Sequence, residues 1–137
     1  MASLYSDVLL DHFRNPRNYG SLPDPDIAHE EFNPLCGDRI RVELEISDNR
    51  ITAARFVGDG CAISIAAASL LTELVLGAEI DEGAVISGAE TQDIASLLLS
   101  SLKCDIKPSR MKCALLPLEA LRSCVKFYFQ SGAGKSA

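Results

Sequence analysis

The stretch "IRVELEISDNRITAARFVG", residues 40–58, decides the fold. Ile40, Val42, Leu44 and Ile46 alternate with Arg41, Glu43 and Glu45, the period of a strand with one face on a core and the other in water. Asp48 and Asn49 are turn formers and "RITAARFVG" supplies a second strand, so the segment predicts an antiparallel hairpin. Upstream, beyond the proline-bearing loop "SLPDPD" at 21–26, "IAHEEF" is a candidate third strand.

The remaining segments carry helical signals. Residues 3–13, "SLYSDVLLDHF", set Leu4, Val8, Leu9 and Phe13 at helical spacings, and "RNPRNYG" then breaks the pattern. After "GDG", the alanine- and leucine-rich run "CAISIAAASLLTELVLG" predicts a helix opened by Cys61 and stopped at Gly77. Residues 79–103 predict one or two short helices interrupted by "SGAETQD", with Thr91 or Asp93 capping the second. From Pro108 to Phe129 the chain is again helical in character. Pro117, however, has no N–H for the carbonyl of Cys113, so the helix is expected to start or kink between them. Strands first and helices mostly afterwards predict one α+β domain over residues 1–137, a small antiparallel three-stranded sheet covered by helices.

Composition narrows the function. A formal charge of −6 and a pI near 4.8 give a field that repels nucleic acid and anionic membrane. No stretch approaches the apolar length of a membrane span and no secretory signal opens the chain, so a cytoplasmic location is expected. Five cysteines (Cys36, Cys61, Cys104, Cys113 and Cys124) form an odd set, which argues for reduced thiols rather than a disulfide framework.

Three of these thiols stand apart by setting. Cys36 lies in the turn-like "NPLCGDRI" (33–40), two residues before Asp38; Cys61 follows "GDG" at a helix start; Cys113 follows Arg110 and Lys112. Turns and helix termini let a thiol reach solvent or metal, and a helix N-terminus or a neighbouring cation favours the thiolate that binds metal or attacks sulfur. Three thiolates and a carboxylate would complete a tetrahedral Zn²⁺ site or hold a [2Fe–2S] cluster. Asp38 is the hard ligand in such a set and holds a soft cluster more loosely than a fourth thiolate. On the residues alone, each cysteine is more commonly a small apolar core residue, the spacings match no short zinc signature, and Asp38 is equally a turn former.

The ordered strings "LYSDVLLDHFRNPRNYG" (4–20), "NPLCGDRI" (33–40), "GDGCAISIAAASLL" (58–71) and "RMKCALLPLEAL" (110–121) resemble the U-type iron–sulfur cluster assembly scaffolds, the IscU, SufU and NifU N-terminal family. The resemblance implies a SufE/NifU-like fold and a common site built from Cys36, Asp38, Cys61 and Cys113. It also implies a cysteine desulfurase of the SufS/IscS/NifS kind as sulfur donor and apo iron–sulfur proteins as recipients. IscU-type members carry a histidine before the last cysteine, within a chaperone-read proline-proline-valine-lysine stretch. Here Lys112 stands there and the stretch is absent, as in the SufU branch, although the connector from Cys61 to Cys113 is shorter than SufU members carry. An IscU-like chain would assemble a transient [2Fe–2S] cluster at the four residues. A SufU-like chain would hold Zn²⁺ there, with Cys113 leaving the metal to accept persulfide sulfur.

Other readings weigh less. A thiol enzyme built on Cys61 lacks a histidine in these loops, and a zinc-stabilised interaction module would use the same ligands without releasing anything. Cys104 and Cys124 are assigned to packing, His12 to a surface or half-buried place on the first helix, and His29 to the company of Glu30 and Glu31. By resemblance, a desulfurase-binding patch runs from Tyr5 to the cysteine loops.

Overall fold

Asp48 and Asn49 both adopt positive φ, 52° and 60°, the backbone that closes a two-residue turn with the twist its flanking strands need. The computed structural model that shows this describes residues 6–35, 37–81, 85–86 and 94–131; Leu4, Tyr5, Cys36, Thr91 and Asp93 lie outside these. The turn joins β2 (Asp38–Ser47) to β3 (Arg50–Asp59) as the expected hairpin, paired from Arg39 opposite Asp59 to Ser47 opposite Arg50 with a bulge between Glu45 and Ile46. β1 (Ile27–Asn33) pairs antiparallel with the other edge of β2, giving a three-stranded sheet in the order β1-β2-β3. The outer edge of β3 is covered in turn: Phe56 N–H donates to the Asn18 carbonyl and Gly20 N–H to the Phe56 carbonyl.

One face of the sheet carries Ile40, Val42, Leu44 and Ile46 together with Ile51, Ala54 and Phe56, all buried. Against it lie α4 (Met111–Gln130), which packs on β1 and β2, and α2 (Ala62–Val75), which packs on β3 and on α4. α2 is apolar nearly all round because it is enclosed on its other side by α1 (Asp7–Arg14) and α3 (Ile94–Ser101). Ser6 caps α1 by accepting from Leu9 N–H at 3.0 Å, and its own hydroxyl donates to the Leu102 carbonyl at 2.5 Å, tying α1 to the end of α3. The buried side of α1 carries Leu9 and His12, while Phe13, expected on the same face, is largely exposed.

Two expectations are corrected. Residues 79–81 and 85–86 are not helical: β4 (Ile80–Asp81) pairs with β5 (Val85–Ile86) as a two-stranded ribbon. The preceding segment completes the far end of the hairpin, with Ile51 N–H donating to the Ala78 carbonyl, Gly77 N–H to the Ile51 carbonyl and Ile80 N–H to the Asn49 carbonyl. β-branched Ile80, Val85 and Ile86 suit that extended pairing, and the pull of the hairpin outweighs weak helical propensity. The last helix does not wait for Pro117 either. A single 3-10 turn at Pro108–Arg110 leads into α4 at Met111, and α4 continues through Pro117.

Glu43 also departs from simple alternation. Although it belongs to the polar set of β2, its side chain is buried beneath loop 21–26, where it accepts from Leu22 N–H at 2.7 Å and Arg41 Nε–H at 2.9 Å. Burial raises the pKa of this carboxyl, but the bonds from Arg41 and Leu22 lower it further, and the net result is below the usual glutamate value. A depressed folded pKa means the stabilisation is fully present above the unfolded value and is lost as pH falls through the folded one. Glu43→Ala is therefore expected to cost about 1–3 kcal/mol near neutral pH. Urea denaturation of both proteins checks it: the gap between them should narrow below about pH 4.5.

Candidate metal centre

Three chain segments end at one place. The connection from β1 to β2 is tight: Gly37 N–H donates to the Asn33 carbonyl, Leu35 N–H donates to Asn33 Oδ1, and Gly37 takes a φ of +75° that favours glycine. This sets Asp38 as the first residue of β2, opposite Asn33 and almost fully buried. Cys61 occupies the N-cap position of α2 with extended backbone and is half-buried. Cys113 is the third residue of α4.

One ligand atom each from Asp38, Cys61 and Cys113 lies within 4.8 Å of the others, and Cys61 Sγ stands 3.7 Å from Asp38 Oδ2. Tetrahedral zinc with Zn–S near 2.3 Å and Zn–O near 2.1 Å separates its ligand atoms by roughly 3.4–3.8 Å. The Cys61–Asp38 separation lies in that range and Cys113 Sγ lies within 4.8 Å of both, a donor set of two sulfurs and a carboxylate that suits such an ion. Cys61 stands at the N-cap of α2 and Cys113 in the first turn of α4, and neither helix carries an acidic residue in its first turn. Cys36, expected as the fourth ligand, lies outside the described residues.

Sequence reasoning missed Ser64. Its hydroxyl is fully buried between the three groups, 2.5 Å from Asp38 Oδ2, 3.2 Å from the Cys113 carbonyl and 3.7 Å from Cys61 Sγ. The available signal was its place three residues after an N-cap, the position whose side chain faces back to the cap. Pro117 takes part as well: it withholds the helical N–H from the Cys113 carbonyl, and Ser64 of α2 donates to that carbonyl instead. Gly60 makes room, since a Cβ there would stand 3.0 Å from Ser64 Cβ and 3.4 Å from the Asp38 carboxyl carbon.

A further correction concerns access. Cys113 was expected at a turn or terminus open to solvent, yet it is only 1% exposed, because α4 begins at Met111 and the first turn faces α2. Lys112 beside it is exposed. Cys124 is a packing residue: its thiol points at the Val42 carbonyl at 3.4 Å, and burial pushes its pKa up to about 12. Cys104 packs half-buried against the core. His12 is more buried than expected, with Nδ1 2.7 Å from Ser69 Oγ and a pKa lowered by burial, and His29 bonds Glu31 at 2.6 Å. Native alkylation followed by peptide mass mapping should modify Cys61 and Cys104 first, Cys113 more slowly, and Cys124 only after unfolding; modification of Cys124 ahead of Cys61 would contradict the burial order.

Comparison with known proteins agrees with this architecture. The family model for the NifU-like N terminal domain matches residues 4–134. The iron-sulfur cluster assembly scaffold protein IscU 1 of Archaeoglobus fulgidus is 37% identical over 127 residues, covering 93% of this chain and 78% of that protein. The zinc-dependent sulfurtransferase SufU of Bacillus subtilis is 38% identical over 129 residues, covering 87% of each. Among solved structures, the iron-sulfur cluster assembly scaffold protein for the SUF system from Fervidobacterium islandicum aligns with a TM-score of 0.75 at 26% identity, over 90% of this chain and 97% of that one. With its sheet, its helices and all four of its quoted motifs inside the matched span, the chain belongs to the NifU-like N-terminal domain family, the family of the IscU and SufU proteins.

Proposed function

We propose that this protein works in iron–sulfur cluster assembly, accepting persulfide sulfur from a cysteine desulfurase and assembling or relaying a [2Fe–2S] cluster at Cys36, Asp38, Cys61 and Cys113. The observation that carries the reading is the meeting of Asp38, Cys61 and Cys113 at the starts of β2, α2 and α4. The scaffold and sulfurtransferase relatives support it.

In the sulfur step the Cys113 thiolate attacks the outer sulfur of the donor's cysteine persulfide. The new Sγ–S bond forms as the donor's S–S bond breaks, and the donor cysteine leaves as a thiolate, so no external oxidant or reductant is needed. Since Cys113 is buried, the donor must dock so as to uncover it. Cluster is cargo here, and Asp38 is the ligand that keeps the cargo transferable, because a carboxylate oxygen holds soft iron–sulfur units more weakly than a thiolate. The expected setting is the cytoplasm; no helix among the described residues is long and apolar enough to cross a membrane.

A second reading, a SufU-like sulfur carrier with resident Zn²⁺, is favoured by Lys112 standing before Cys113 and by the SufU relative. When bound, zinc would stabilise the thiolates and fix their orientation. Cys36, Asp38 and Cys61 would then retain the ion while Cys113 leaves it to take sulfur.

Anaerobic purification with the partner desulfurase, with zinc and iron measured and sulfide release from cysteine followed, separates the two. Stimulation of sulfide release that disappears in Cys113→Ser while zinc is retained supports the carrier; a visible cluster chromophore after loading with iron and sulfide supports the scaffold; the absence of both refutes the assembly reading. Asp38→Cys should retain the loaded chromophore longer against an iron chelator than the native protein does and pass it to an apoprotein more slowly, as measured by the decay of visible absorbance.

A further inference from the structure

Ser64 is a fully buried hydroxyl flanked in its helix by alanine and isoleucine, and it faces the centre. Its proton has two acceptors, the Asp38 carboxylate at 2.5 Å and the Cys113 carbonyl at 3.2 Å. The bond to the carboxylate is charge-assisted and short, so it holds Oδ2 on the side of Cys61 Sγ. The contact is with a carbonyl to which Pro117 can give no helical N–H, and it ties the start of α4 to α2 at the level of the site. One hydroxyl thus spans the ligand-bearing ends of β2 and α4 from its seat on α2.

We propose that Ser64 is a positioning residue of the metal centre, aiming the Asp38 carboxylate at the ion from outside the coordination sphere, and that Pro117 and Gly60 are the backbone features that give it room and a second anchor. A hydrogen bond that orients a metal ligand in this way is worth about 10–100-fold in metal affinity. The inference rests on the assembly-site reading of Asp38, Cys61 and Cys113, and acts through Asp38 rather than through the fold as a whole.

The test uses the full chain with Zn²⁺ competed against a chromophoric chelator and with Co²⁺ as a spectroscopic probe. Ser64→Ala removes one oxygen from an alanine-rich helix, and far-UV circular dichroism and the thermal midpoint report whether the fold is kept. The expected result is zinc affinity lowered about 10–100-fold, with the thiolate-to-Co²⁺ charge-transfer band kept and the d–d bands shifted. In an Asp38→Ala background the same substitution should add no further loss, because the carboxylate it aims is gone. Native-like affinity and spectrum in Ser64→Ala, or an undiminished loss in the Asp38→Ala background, would overturn the proposal while leaving the site reading intact. A native protein that binds neither Zn²⁺ nor Co²⁺ at a defined stoichiometry would overturn both. Should Ser64→Ala fail to fold, Gly60→Ala decides: it presses on Ser64 and Asp38 without deleting either and is expected to lower zinc affinity, and unchanged affinity there counts against the proposal.

Discussion

The structure depends on burying one apolar sheet face beneath two helices that both begin at the same end. Ile40, Val42, Leu44 and Phe56 must be covered, and α2 and α4 cover them while packing against each other. A fully buried side chain of this kind contributes about 1.5–3 kcal/mol of transfer free energy, so no single polar contact at the site competes with it. The helix pair therefore brings two N-termini, with Cys61 and Cys113 in their first turns, to the start of β2, where Asp38 sits. Chemistry at the site is a by-product of where the core requires these helices to start.

The polar groups there are subordinate but well satisfied. Among the described residues, no buried side-chain nitrogen or oxygen lacks a hydrogen-bond partner. Ser64 meets Asp38 and the Cys113 carbonyl, and at the other end of α2 Ser69 accepts from Arg17 N–H and bonds His12, while Asn18 donates to Thr72. An alanine-rich helix can pass through the middle of the molecule because its few hydroxyls each serve a neighbouring segment.

Much of this was legible in the sequence where period and turn chemistry speak locally. The alternation of Ile40 to Ile46, the Asp48–Asn49 turn and the helix opened by Cys61 all stand as read. The misses share one cause, a partner distant along the chain. β4 is extended because the hairpin tip lies beside it, and Glu43 is buried because a proline loop crosses over it. Pro117 sits inside a helix, and the carbonyl it cannot serve meets the hydroxyl of Ser64, 53 positions earlier. Of the candidate site, Asp38, Cys61 and Cys113 meet as expected and Cys36 lies outside the described residues, while Ser64 and the burial of Cys113 emerged only in three dimensions.

The enclosure of Cys113 has a bearing on oxidative chemistry. A reactive thiolate on an open surface is exposed to peroxide and to small disulfides, which carry it toward sulfenic acid or a mixed disulfide. One walled in by α2 and its own helix, at 1% exposure, meets such reagents only when the wall parts. In a sulfur-trafficking role this makes delivery depend on a macromolecule large enough to pry the site open, so stray small molecules are turned away by shape before reactivity is ever tested.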